Sequence, residues 1–70
     1  MISASKIKEH MEVKSSDGKH LGTVLGVENG HIQLASGGME HQIDIEMVDA
    51  ITEHGVRLRK TAEEAMRIWH

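Results

Sequence analysis

Residues 16–27 read Ser-Asp-Gly-Lys-His-Leu-Gly-Thr-Val-Leu-Gly-Val, a turn followed by a strand that the neighbouring segments pair with. By the two-residue period of a strand, Leu21, Thr23, Leu25 and Val27 share one face, and Gly22, Val24 and Gly26 share the other. The second face is nearly bare. Glycine weakens a strand unless bending or close backbone approach requires it, so Gly22 and Gly26 predict a sharply curved, barrel-like sheet. Asp17-Gly18 ahead of the strand supplies a tight turn, in which Asp17 can accept from neighbouring backbone amides.

The flanking segments repeat the pattern of short strands and tight turns. Upstream, Ser3 or Ser5 is placed to cap a single helical turn, and a brief strand is expected over 11–14. Downstream, Asn29-Gly30 between alternating apolar stretches is a strong hairpin signal. It predicts an antiparallel strand over 31–35 with Ile32 and Leu34 facing the core. After the Ser36-Gly37-Gly38 loop, a strand over 40–45 is expected to turn Ile43 and Ile45 inward and Gln42, Asp44 and Glu46 outward. Met47 and Val48 then form a packed turn, with short strands over 50–52 and 56–59 separated by a turn at His54-Gly55.

Thr61-Ala62-Glu63-Glu64 matches a capping box, and Ala62, Ala65, Met66 and Trp69 follow the i, i+3, i+4, i+7 stripe of an amphipathic helix. The sum is one mainly β domain over 1–70: a small antiparallel barrel of five to six short strands over 11–59, capped by a C-terminal amphipathic helix over 61–70. Asp17, Gly18, Gly22, Asn29, Gly30 and Thr61 are the expected structural determinants.

Composition limits what such a domain can do. The chain has 70 residues, no Cys, Phe or Tyr, and one Trp, so its core is aliphatic and it has neither disulfides nor thiolate metal sites. A domain this small buries only about 60% of its unfolded surface, which points to homo-oligomerisation as a further source of burial. The formal net charge of −3 and the lack of aromatic stacking platforms argue against nucleic acid, even though Lys6, Lys8, Arg57, Arg59 and Lys60 supply scattered positive charge. No apolar run approaches the roughly 20 residues of a membrane span, and the N-terminus lacks the pattern of a leader peptide. A cytoplasmic protein with no membrane association is the expectation.

The stretch Asp17-Gly18-Lys19-His20-Leu21-Gly22-Thr23-Val24, with Asn29-Gly30 behind it, resembles the opening of the PRC-barrel superfamily, whose members place DG-x-x-[IVL]-G-x-V before a hairpin. The whole chain resembles more closely a stand-alone bacterial domain-of-unknown-function family related to those barrels. That likeness runs through residues 8–13, 43–48 and 60–66. The chain departs from it at Ile43-Asp44-Ile45-Glu46-Met47-Val48, where relatives carry Ile-Pro-x-x-Trp-Val. The resemblance implies an SH3-like barrel with an adaptor role, as in the photosynthetic reaction-centre H subunit and a ribosome maturation factor. It carries over no site residue.

Six histidines, at positions 10, 20, 31, 41, 54 and 70, are too far apart to form a close ligand pair. Solvent-facing positions at strand ends explain them most simply. If His20, His31 or His41 converged with Asp44 or Glu46, a divalent metal or a pH-sensitive contact would follow. The serines sit in turn or cap contexts with no base and anion pocket in view, so neither an enzyme nor a cofactor is expected.

The acidic run Glu40, Asp44, Glu46, Asp49 and Glu53 is followed by Arg57, Arg59 and Lys60. It reads either as cross-strand charge pairing or as a self-complementary dimer surface. Arg57, Arg59, Met66 and Trp69 are the candidate partner contacts. The resulting expectation is a non-enzymatic, self-associating protein interaction or assembly module. The alternative is a ligand, metal or pH sensor built on the histidines and acids.

Overall fold

The computed structural model describes residues 4–69; Ser3 and His70, named above, lie outside them. After a 3-10 turn at Ala4–Lys6, the strands are β1 (Glu12–Lys14), β2 (His20–Glu28), β3 (His31–Ser36) and β4 (Met39–Asp44). A second 3-10 turn, Ile45–Met47, leads to β5 (Val48–Thr52), β6 (Gly55–Leu58) and the helix α1 (Ala62–Ile68). One six-stranded sheet holds them in the order β4-β3-β2-β1-β6-β5.

β2 carries the curvature, by a route that alternation alone does not show. Against β1, Val13 faces Gly22 and Lys14 faces His20, so Leu21 is an extra residue. Against β3, Val24 faces Leu34 and Gly26 faces Gln33, so Leu25 is extra as well. Each such bulge bends the strand and increases its twist. The second also shifts the side-chain phase, which corrects the expected faces: Val24 is buried, whereas Leu25 is 39% exposed.

The two strand glycines separate. A Cβ on Gly22 would collide with the Ala35 carbonyl oxygen, so glycine is what lets β3 come this close. A Cβ on Gly26 would meet nothing within 4 Å.

Two features of the expected barrel are corrected. β1 and β6 pair in parallel, Glu12 facing Gly55 and Lys14 facing Arg57, so the sheet is mixed rather than antiparallel. No hairpin constrains two strands so distant in sequence. The sheet is also not closed into a barrel: β4 and β5 are its edges, and no ladder joins them.

It is nonetheless strongly curled. The edge strands of a flat six-stranded sheet would lie roughly 24 Å apart, yet three residues, Ile45–Met47, join these two. A 3-10 turn rises only about 2 Å per residue. The turn is pinned on both sides, as the Ile45 N–H donates to the Gly30 carbonyl at 3.0 Å and the Arg59 N–H to the Met47 carbonyl at 2.7 Å. It is this turn that takes up Ile45, which was expected to continue the strand, and leaves Val48 to begin β5.

The curl encloses an aliphatic core in which Val13, Ile32, Leu34, Val48, Leu58 and Ala65 are all fully buried. α1 begins with the expected capping box: Thr61 Oγ1 accepts from the Glu64 N–H at 3.3 Å, and the Thr61 N–H donates to Glu64 Oε1 at 3.2 Å. Its start is tied to the Asp17-Gly18 turn. Asp17 Oδ1 accepts from the Ala62 N–H at 3.2 Å, and the Ser16 N–H donates to the Lys60 carbonyl at 2.8 Å. Fully buried Ser15 braces that turn, its hydroxyl donating to Asp17 and accepting from the Lys19 N–H at 3.1 Å.

Ala62 and Ala65 form the buried face of α1. Met66, expected on the same stripe, is 52% exposed, because it lies about 100° round the helix from Ala65.

Replacing Gly22 with Ala pushes a methyl into backbone and is expected to cost about 1–3 kcal/mol. At about 4–8 °C per kcal/mol for a domain of this size, the thermal midpoint falls accordingly. Gly26→Ala is expected to stay within about 0.5 kcal/mol of wild type. Thermal or urea unfolding of both variants checks this, and equal midpoints would contradict the bulge-and-contact account.

Candidate functional site

A cleft of about 450 Å³ opens where the β2–β3 turn, the 3-10 turn at Ile45–Met47, the end of β6 and the end of α1 meet. Its lining residues are His31, Asp44, Glu46, Met47, Arg59, Lys60 and Ile68. The β3–β4 hairpin, turning at Gly37-Gly38, brings His31 directly opposite Asp44. The His31 ring is held there by a 3.1 Å hydrogen bond between Nδ1 and the Asn29 carbonyl. Asp44 caps the 3-10 turn, its carboxylate accepting from the Glu46 N–H at 3.0 Å. Arg59 Nε donates to the Glu46 carbonyl at 3.2 Å.

This arrangement partly meets the expected convergence, since His31 does share a cleft with Asp44 and Glu46. Among the described residues, no group of three or more His, Asp or Glu side chains is placed to hold an ion. The cleft offers both signs of charge beside the apolar side chains of Met47 and Ile68. Such a surface can recognise another polar chain.

The other histidines lie elsewhere. His20 bonds through Nδ1 to Glu12 Oε2 at 2.7 Å on the outside of the sheet. His41 is half-buried, its ring stacked on the Trp69 indole with centroids 4.0 Å apart and planes 7° from parallel. This stack is absent from the sequence reading. Its signal was the alternation of β4, which places His41 on the same inward face as Ile43.

The four candidate contact residues are not brought together. Arg57 lines a separate cleft of about 270 Å³ with Glu12, Lys14 and His54, and pairs with Asp49 across β5 and β6 at 2.9 Å. That ion pair is the cross-strand reading of the charge pattern. Arg59 lines the large cleft, whereas Met66 is exposed and Trp69 is engaged with His41. Ile68, 46% exposed at the cleft edge, was not singled out from the sequence.

Three carboxylates are held below their ordinary range. Glu12 is lowered chiefly by the hydrogen bond from His20, Asp17 by the Ser15 hydroxyl, and Glu64 by the Thr61 backbone N–H. All three lie in contacts that brace the fold.

These features define a class: a mainly β domain of six strands and one C-terminal helix, with open clefts. Over residues 7–66 the chain matches the family described as "Uncharacterized protein conserved in bacteria (DUF2171)", and it belongs to that family. No curated protein and no solved structure matches it. No helix among the described residues is long and apolar enough to cross a membrane.

A carboxylate with a lowered folded pKa contributes stability that is present above the ordinary carboxylate value, about 4, and is lost as pH falls through the folded one. The thermal midpoint is therefore expected to hold between pH 7 and about 5 and to drop below about 4. Asp17→Asn keeps the acceptor for Ala62 but loses the charge. Its melting point is expected to lie below wild type at neutral pH and to converge with it in acid. A gap that persists unchanged at low pH would show that Asp17 acts by shape alone.

Proposed function

We propose that this chain is a non-enzymatic interaction or assembly module of the PRC-barrel, SH3-like kind, working in the cytoplasm, self-associating and docking a protein partner. The Asp17–Val24 stretch and the curl of the sheet support the PRC relationship. The observation that carries the adaptor reading is the apolar exposure of α1. Met66 and Ile68 stand 52% and 46% exposed on either side of the buried alanine face of α1, with Arg59 and Lys60 beside Ile68 in the cleft. Leaving two large apolar side chains in water on one short helix is a feature of a contact surface.

The histidine and serine chemistry supports the same view. Ser15 is buried and bonded to Asp17, and His20 and His31 are engaged with Glu12 and with backbone. Neither imidazole is hydrogen-bonded to the Ser15 hydroxyl, so no nucleophile and base are paired among them. Arg57 is neutralised by Asp49, which weakens a nucleic-acid surface.

The double variant Met66→Lys/Ile68→Lys tests this reading. Tagged protein expressed in its native host is expected to co-purify with a partner that the double variant loses, at an unchanged melting point. Retention of the same partner by the double variant would reject the α1 surface.

A second reading is a metal or ligand sensor, in which His31, sharing the cleft with Asp44 and Glu46, would supply one ligand and a bound molecule or partner chain the rest. Calorimetric titration with Zn²⁺ distinguishes the two: an adaptor shows no binding tighter than high micromolar, whereas a sensor binds and loses that binding in His31→Ala.

A further inference from the structure

We propose that two copies of this chain associate through β4, edge to edge and antiparallel about a two-fold axis at His41, so that the two sheets become one. This deepens the self-association proposed above by naming its surface.

The argument begins with which backbone groups β4 leaves open. Gly37 and Gly38 have φ of 58° and 83°, the two-residue hairpin geometry in which the flanking pair, Ser36 and Met39, exchanges both backbone hydrogen bonds. Antiparallel pairs then alternate, so Leu34–His41 and Ile32–Ile43 are bonded pairs, and the Ile45 N–H to Gly30 carbonyl bond continues the series. The N–H and C=O groups of Glu40 and Gln42 therefore point away from β3. β4 is an edge of the sheet, and among the described residues these groups meet no partner.

The two edges are not protected alike. β5 is broken by an extra residue at Asp49, one of the devices that keep an edge from pairing. β4 runs from Met39 to Asp44 in unbroken register, with no proline, lysine or arginine. It also begins with Met39, at 65% the most exposed of the large apolar side chains among the described residues.

Charge and register select a second copy, in one alignment. With the axis at His41, Glu40 of each copy lies opposite Gln42 of the other, and that pair exchanges the open backbone bonds. Met39 then lies beside Ile43 of the second copy and leaves water. Moving the axis to Gln42 would set Glu40 against Asp44, like charges directly opposed. A two-fold contact of this kind closes at the dimer and leaves only the bulged β5 edges outside.

Sedimentation equilibrium over roughly 10 µM to 1 mM brackets the affinity of so small a contact. Wild type is expected to dimerise, and Gln42→Pro, which removes one outward N–H without touching the bonds to β3, to weaken dimerisation at least about tenfold. The chain has no cysteine, so His41→Cys reports directly. Opposed residues of a non-bonded pair lie about 4.5 Å apart at Cα, within disulfide reach. Mild oxidation is expected to give a covalent dimer from His41→Cys and none from Met66→Cys. A wild type that stays monomeric at every concentration overturns self-association itself. A dimer that survives in folded Gln42→Pro, or that cross-links through Met66→Cys instead of His41→Cys, overturns the β4 contact and leaves self-association standing.

Discussion

A three-residue link between opposite edges of the sheet is the constraint on which the structure depends. β4 and β5 are consecutive in the chain and farthest apart in strand order, so the sheet has to wrap until the turn at Ile45–Met47 can span the gap. β2 makes that wrap possible. Its two extra residues, Leu21 and Leu25, act against different neighbours, and its bare Gly22 lets β3 close in. The turn is then held by backbone bonds to Gly30 on one side and Arg59 on the other. The result is a drum open along one seam, with a hydrogen-bonded turn in place of the final ladder.

A drum this small has an aliphatic core, and its polar residues are largely occupied in holding it. Asp17, bonded to Ser15 and beside Lys19, ties the β1–β2 turn to the first turn of α1. Asp44 caps the 3-10 turn, Glu64 closes the capping box, and Asp49 neutralises Arg57. What the fold leaves over is surface: Met66 and Ile68 at the end of α1, and the unpaired edge at β4 with exposed Met39.

Most features set by residues within a few positions of one another were legible from the sequence, the 3-10 turn at Ile45–Met47 being the exception. Asp17-Gly18, Asn29-Gly30, Gly37-Gly38 and the Thr61–Glu64 box each carry their own turn or cap chemistry, and each stands where it was read. The apolar periods of β3 and of Ala62 and Ala65 likewise marked the buried face. Such features require no knowledge of what lies across the sheet, because the backbone angles and nearby side chains are sufficient.

What depended on distant partners was decided only by the tertiary structure. The phase change at Leu25 exists because β2 must bend against β3, so strict alternation placed that side chain on the wrong face. The parallel pairing of β1 with β6 joins segments more than forty residues apart along the chain, which no turn signal reports. The same holds for the seam between β4 and β5, the stacking of His41 on Trp69 and the grouping of His31 with Arg59. Local chemistry determined the strands, turns and cap; long-range packing chose which strand edges meet, and therefore which side chains are left at the surface.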